Sequence, residues 1–260
     1  MKTNTRILIP IEVVAVLGIA FAVMLLAGAC WFAAPGKPAE PAQAAASDQP
    51  DIIPGSGGEM SGDIGPSRVV TKEYPFTPGK AGFWLFSVQI SVQTYGGGVG
   101  EVEILGPDGD TIVEGSNSET GDLTIVYLDA ENPYTVKLTA RSLPPSKGVG
   151  YTLTASLAQE IPGSGGEVRV DSTTVFSFTP DRSGTWTFST SDNGECIPYL
   201  LVRDANNTSR DFVYYDRGER GEDDIYRNVL LSVPLDEGAP YMVEAGSSSS
   251  GSFVLAVSPA

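Results

Sequence analysis

The sequence predicts an all-β protein that contains two tandem antiparallel β-sandwich domains. The first observation is a repeated phrase, because residues 53–59 (IPGSGGE) recur as residues 161–167. The second is that short runs after residue 52 alternate apolar and polar residues, whereas no long segment there repeats apolar residues at helical spacing. A period of about one hundred residues is too long for a solenoid unit and matches a pair of whole domains.

The second repeat shows the strand pattern most clearly. Phe176 and Phe178 fall on one face of a predicted strand at 174–178, and further strands are expected at 185–189, 199–202, 229–233, 241–245 and 252–257. Clusters of turn residues separate these runs. The Gly-Ser-Gly-Gly stretches lack the Lys-Ser/Thr of a phosphate-binding loop and are interpreted as turns that lead into a strand. The predicted domains span residues 53–158 and 159–260.

An apolar segment precedes the repeats. Lys2 and Arg6 come before an almost uninterrupted apolar stretch, which predicts a signal or membrane-anchor helix within residues 1–34 and places the repeats outside the cytoplasm. Three fates remain open: lipidation of Cys30 in a stretch that resembles a bacterial lipobox, retention as an uncleaved helical anchor, or cleavage at residues 42–44 and secretion. Residues 35–52, rich in Pro and Ala, predict a disordered linker.

Composition excludes several classes of function. The chain has no histidine and a formal net charge of -16. There can therefore be no Ser-His-Asp or Cys-His nucleophile pair, no histidine general base and no histidine-containing zinc site. The acidic charge repels nucleic acid phosphates and suits cations, basic partners or solubility alone. No motif indicates catalysis by carboxylates or lysine, so the sequence predicts a protein that is not an enzyme. The acidic charge predicts that it does not bind nucleic acid.

The order of the strand motifs resembles the bacterial pre-peptidase C-terminal domain family. In the second repeat the matching pieces are residues 176–180, 184–188, 199–204, 211–224, 235–243 and 251–257, and the first repeat follows the same order with a shorter acidic loop. The resemblance covers nearly all of residues 168–258. It implies two jelly-roll-like β-sandwiches on an exported protein, with a role in binding beside secreted peptidases, and it raises the prospect of calcium in acidic loops.

The calcium expectation rests on an acidic, Gly-rich loop in the second repeat. Calcium takes six to eight oxygen ligands, so clustered carboxylates beside glycines supply suitable chemistry. The alternative is a solvated loop in which Arg217 and Arg220 pair with the carboxylates. The candidate calcium ligands are Asp204, Asp216, Asp223 and Asp224.

One strand of the first repeat is apolar on both faces. Phe83 and Leu85 stand where the second repeat has Thr185 and Thr187. Because the outward face of a sandwich sheet is normally polar, we expect Phe83 and Leu85 to lie under a loop or to contact the second domain or a partner.

These features favour a non-catalytic, extracytoplasmic binding or adhesion module that is tethered to the cell envelope. The alternative is a structural or accessory envelope protein that packs against other surface or secreted proteins. The expected partners are the membrane, through the N-terminal segment or a lipid, and an unidentified protein or polysaccharide. Tyr214 and Tyr215 join Phe83 and Leu85 as candidate contact residues, because aromatic side chains dominate binding surfaces.

Overall fold

The computed structural model describes residues 51–92, 98–115, 123–143, 149–205, 213–217 and 228–260, and only the backbone of Val92 and of residues 213–217. These residues confirm the all-β prediction, because every element among them is a strand and the sheets are antiparallel almost throughout. No helix in this part of the chain could cross a membrane. The predicted segment 1–34, with Cys30, and the linker as far as residue 50 lie outside the described residues.

The first repeat forms two four-stranded antiparallel sheets that enclose a common core. The sheet orders are β1-β8-β3-β6 and β2-β7-β4-β5. Alternation of buried and exposed residues, as in β7 and β8, places one face of each strand in the core. The strands are β1 (Gly58–Ile64), β2 (Val69–Phe76), β3 (Gly82–Val92), β4 (Gly98–Leu105), β5 (Thr111–Glu114), β6 (Leu123–Leu128), β7 (Tyr134–Ser142) and β8 (Val149–Leu157).

The second repeat has the same topology. Its sheets are ordered β10-β17-β12-β15 and β14-β13-β16-β11-β9. The short β9 pairs in parallel with β11, and the first repeat has the equivalent bridge between Ile53 and Phe76. The strands are β9 (Gln159–Ile161), β10 (Gly166–Val170), β11 (Thr174–Phe178), β12 (Gly184–Ser191), β13 (Pro198–Asp204), β14 (Val213–Arg217), β15 (Leu230–Leu235), β16 (Tyr241–Ser247) and β17 (Phe253–Pro259).

Each core is built around three packed aromatic rings, and the rings occupy equivalent positions in the two repeats. In the first repeat the ring of Phe76 packs edge-on against Trp84, with centroids 4.8 Å apart, and against Phe86 at 5.8 Å. Edge-to-face packing suits the ring quadrupoles and adds to the free energy of burial. The second repeat reproduces the group with Phe178, Trp186 and Phe188, at 5.0 and 5.9 Å. The duplication seen in the sequence is therefore also a duplication of core packing.

A buried pair of tyrosines makes the first repeat sensitive to alkaline pH. The hydroxyls of Tyr74 and Tyr151 lie 2.8 Å apart inside the core. Burial, followed by the hydrogen bond with Tyr151, raises the pKa of Tyr74 well above its ordinary value of 10.0. The folded state therefore keeps this proton at a pH where the unfolded chain loses it.

This linkage predicts that stability falls as pH rises above 10. The contribution of Tyr74 is fully present below pH 10, the pKa in the unfolded chain, and it is lost above that by about 1.4 kcal/mol per pH unit. We expect Tyr74→Phe to lower stability at neutral pH but to flatten the decline between pH 10 and 11. Urea unfolding at a series of pH values measures both effects. Equal slopes for the variant and the parent would contradict the assignment to Tyr74.

A candidate binding cleft at the junction of the two repeats

The two repeats meet through outward sheet faces that are apolar. In the first repeat this face belongs to β3 and β6, and in the second to β11, β13 and β16. Phe83, Val175, Leu201 and Met242 are each at most 4% exposed. The faces form one apolar cluster, separate from either core, that contains Phe83, Ile125, Ala158, Val175, Leu201 and Met242, with Leu85, Leu123, Tyr127 and Ala205 packed around it.

Short-range contacts fix this junction. The backbone N–H of Ala158 donates to the carbonyl of Phe83 at 2.8 Å, which ties the link between β8 and β9 to β3. The ring of Phe83 packs edge-on against Tyr127 at 5.3 Å. Lys80 pairs with Glu160 at 2.9 Å, but both side chains are about two-thirds exposed, so this pair adds little stability. Apolar burial is therefore the main force that joins the repeats.

The register of the strands explains why β3 and β6 are covered. Phe83 pairs with Tyr127. At the equivalent pair of the second repeat, Thr185 lies opposite Pro234, and Thr187 lies opposite Ser232. The second repeat therefore has a polar outward face at the positions where the first repeat has an apolar one.

The reverse holds on the other sheet. Glu244 is flanked in register by Val175 and Leu201, whereas the equivalent Lys137 is flanked by Glu73 and Glu103. Each repeat thus has one apolar outward face, and the two faces differ. A head-to-tail contact of this kind can repeat indefinitely between identical units.

The ionisable side chains on the two equivalent sheet faces differ in burial and in hydrogen-bond partners. Glu244 is buried and accepts a hydrogen bond from the Tyr199 hydroxyl at 3.2 Å. Lys137 donates to Glu103 at 2.6 Å near the surface, and Thr111 donates to the other oxygen of the same carboxylate. The bond from Lys137, and then that from Thr111, lowers the pKa of Glu103, and the same contact raises the pKa of Lys137. The negative charge of Glu103 is therefore balanced by Lys137 within the same sheet.

Beside the apolar cluster the two repeats leave a cavity of about 270 Å³, which we call the junction cleft. Phe83 and Met242 contribute buried apolar surface, while Ile112 is 39% exposed. Burial, and then the charge of Asp129, raises the pKa of Tyr127. Among the residues that the structure describes, the lining comprises Phe83, Ile112, Val113, Glu114, Ile125, Val126, Tyr127, Arg203, Asp204, Ala205 and Met242.

A second, slightly larger groove lies on the first repeat alone. It has a volume of about 310 Å³ and is lined by Val69, Val99, Glu101, Thr139, Arg141 and Leu143. Val69 and Val99 are about half exposed, so its apolar surface is open to water. The junction cleft is the stronger candidate site because both repeats build it and because its apolar floor of Phe83, Ile125 and Met242 is already buried in a fixed arrangement.

The structure brings two of the predicted site residues together. Phe83 and Asp204, which come from different repeats, both line the junction cleft, and Leu85 packs beside the adjoining apolar cluster. The backbone of β14 pairs Tyr214 with Val202 and Tyr215 with Leu201. Cys30, Asp223 and Asp224 lie outside the described residues.

The predicted calcium ligands are only partly described. Asp204 ends β13, and the backbone of Asp216, on β14, pairs with Leu200 of β13. The assignment of these carboxylates to calcium stays a prediction. Within the ranges that the structure covers, no three acidic or thiol side chains gather as a metal site.

Sequence reasoning missed the second repeat's half of the site. Met242 and Leu201 lie in strands whose successive residues are all buried, from Tyr241 to Gly246 and from Pro198 to Val202. Apolar residues on both faces of a strand were the signal that singled out Phe83. The same signal would have found Leu201 and Met242. No sequence signal marks Ile112 or Glu114.

Comparison with known proteins identifies no family. No family model matches the chain, and no curated protein matches it. Among solved structures, the N-terminal CBM22-1–CBM22-2 tandem domain of Paenibacillus barcinonensis Xyn10C has 8% identity and a TM-score of 0.23, over 76% of this chain and 94% of that one. Dimeric latent PorU of Porphyromonas gingivalis has 11% identity and a TM-score of 0.15, over 82% of this chain and 22% of that one. Likenesses this weak leave the function to be argued from the residues themselves.

Proposed function

We propose that this chain is a non-catalytic binding or adhesion module of the cell envelope. Its N-terminal segment, as a helix or through a lipid on Cys30, holds two jelly-roll-like sandwiches of the pre-peptidase C-terminal type outside the cytoplasm. The observation that supports binding most directly is the junction cleft, which residues of both repeats line. A partner of this cleft is a protein or a polysaccharide of the envelope.

The apolar cluster next to the cleft supports this proposal. It joins the repeats through side chains that are almost fully buried, so the cleft walls are held in place before a ligand arrives. A preformed site avoids the entropic cost of ordering loops and side chains on binding. Tandem sandwiches with such a junction present more surface than one domain does and suit recognition better than chemistry.

The alternative function is that of an accessory protein that packs against other envelope proteins. The open groove on the first repeat favours it, because Val69 and Val99 expose apolar surface on the same sheet face. Exposed apolar patches often mark contacts between proteins. On this alternative, substitutions in the groove would weaken association, and substitutions in the junction cleft would not.

Binding of the full chain to separated protein and polysaccharide fractions of the host envelope tests the proposal. We expect Ile112→Asn, at the junction cleft, to weaken binding about tenfold, because a large exposed apolar side chain beside a buried floor contributes strongly to contacts. Leu230→Asn is the matched control, since Leu230 is 66% exposed and does not line the cleft. Absence of binding, or equal effects of both substitutions, would contradict a binding role for the cleft.

A further inference from the structure

We infer that the junction cleft takes the side chain of an arginine or lysine from a protein partner. The inference rests on the proposed binding function and names the ligand of the same site. It follows from three features of the described lining: its buried apolar floor, the edge-on packing of the Phe83 ring, and the excess of carboxylate at its walls.

The floor of the cleft suits a flexible aliphatic stem. Phe83, Ile125 and Met242 line it and are almost fully buried, and Ile112 extends the apolar surface outward. Arginine and lysine bury three or four methylene groups along such surface while the charged head stays at the polar edge. A volume of about 270 Å³ accommodates one long side chain.

The aromatic rings are placed poorly for a sugar. A pyranose packs its C–H groups on the open, electron-rich face of an aromatic ring. The ring of Phe83 is only 4% exposed and is packed edge-on with Tyr127 at an interplanar angle of 79°. Phe83 therefore gives the cleft an apolar floor but not the flat, open platform that polysaccharide recognition uses.

The charged groups of the walls favour a cation. Glu114 of the first repeat and Asp204 of the second provide two carboxylates, and Arg203 provides one guanidinium, so the part of the lining that the structure describes is net acidic. Glu114 is exposed and forms no salt bridge with the residues that the structure covers, whereas its neighbour in register, Glu103, is bonded to Lys137. The charge of Glu114 is only the smallest cause of the raised pKa of Lys137. A guanidinium or ammonium gains charge-assisted hydrogen bonds there.

The charge of the whole chain acts in the same direction. A net charge of -16 attracts a basic partner over distances longer than one contact and raises the rate of encounter. The same field opposes acidic partners. A basic surface residue of another protein is therefore the occupant that agrees both with the local carboxylates and with the field of the chain.

Peptide and polysaccharide arrays, probed with the labelled full chain, test this inference. The blocked nine-residue peptides carry arginine, lysine, norleucine or glutamate at the centre of otherwise random residues. We expect peptides centred on arginine or lysine to bind about tenfold more tightly than those centred on norleucine, and we expect added salt to reduce the difference. Glutamate-centred peptides should bind least.

Paired variants assign this preference to the cleft. Glu114→Gln with Asp204→Asn should abolish the advantage of the basic peptides. The control Glu59→Gln with Asp63→Asn removes the same charge from β1, at the opposite edge of the sheet that contains β6, and should leave it intact. A preference that survives in the cleft variant would overturn the inference. Binding to polysaccharides alone would overturn it but keep the proposed function, and binding to neither array would overturn both.

Discussion

Replacing Phe83 and Leu85 with threonine will split the thermal unfolding of the two repeats into two transitions. Phe83 is buried in the cluster that joins the repeats, and Leu85 packs against that cluster. Truncation of a buried phenylalanine alone costs about 3–5 kcal/mol. The substitutions give the first repeat the residues that the second has at the same positions, Thr185 and Thr187, where the sheet face is polar. Each repeat keeps its own core and will unfold independently.

Differential scanning calorimetry measures this effect directly. Phe83→Leu is the control, because it keeps an apolar side chain in the cluster and should retain one transition. The reciprocal change, Leu201→Glu with Met242→Thr, introduces the residues of the first repeat at equivalent positions and should also produce two transitions. A single, unshifted transition in the threonine variant would show that the junction does not couple the repeats.

Gly165→Ala will destabilise the second repeat by about 3 kcal/mol or more, because two penalties combine at this position. Gly165 has a φ of +89°, in the left-handed region, and its N–H donates to the carbonyl of Pro162 at 2.8 Å to close the turn. An added Cβ would collide with the backbone carbonyl of Val257, which cannot move without breaking the pairing of β10 with β17. The first repeat repeats this geometry at Gly57, where a Cβ would lie 2.5 Å from the carbonyl of Ala155.

Gly238→Ala separates the two penalties. Gly238 has a φ of +73° but nothing within 4 Å of an added Cβ, so it carries the conformational cost alone, about 1 kcal/mol. In urea unfolding, the Gly165→Ala variant should therefore have a much lower free energy of unfolding than the Gly238→Ala variant. Equal losses would show that the turn relaxes to accept the side chain, and that the repeated glycine is present for its backbone conformation only.

The repeated Gly-Ser-Gly-Gly stretch shows which local features could be predicted from the sequence. Its prediction as a turn is confirmed, since the chain turns at residues 163 and 164. The turn leads into β10, which precedes the first strand predicted for this repeat at 174–178, and in β10 Val168 and Val170 alternate with Glu167 and Arg169. The backbone of β10 pairs with β17 along five residues, and that distant partner strand fixes the length and register of β10.

The strands of the second repeat were predicted closely where their residues alternate. The segment 174–178 coincides with β11, and 185–189 lies inside β12 (Gly184–Ser191). The other ends differ by at most two residues, in part where turn residues are recruited into the ladder, as at Pro198 and Asp204 in β13. Alternation is a local property of the chain, which is why it could be seen without the structure.

The sequence by itself determined the duplication, the all-β class and the anomaly at Phe83, because each is encoded in local periodicity or in identity between the repeats. Only the tertiary structure decided what covers Phe83. The covering residues Val175, Leu201 and Met242 come from three strands of the other repeat, and the cleft beside them is formed by β5, β6 and the end of β13. Side chains from such distant segments come into contact only because two sheets pack together. The shape and charge of the junction cleft therefore cannot be predicted from any single segment of the sequence.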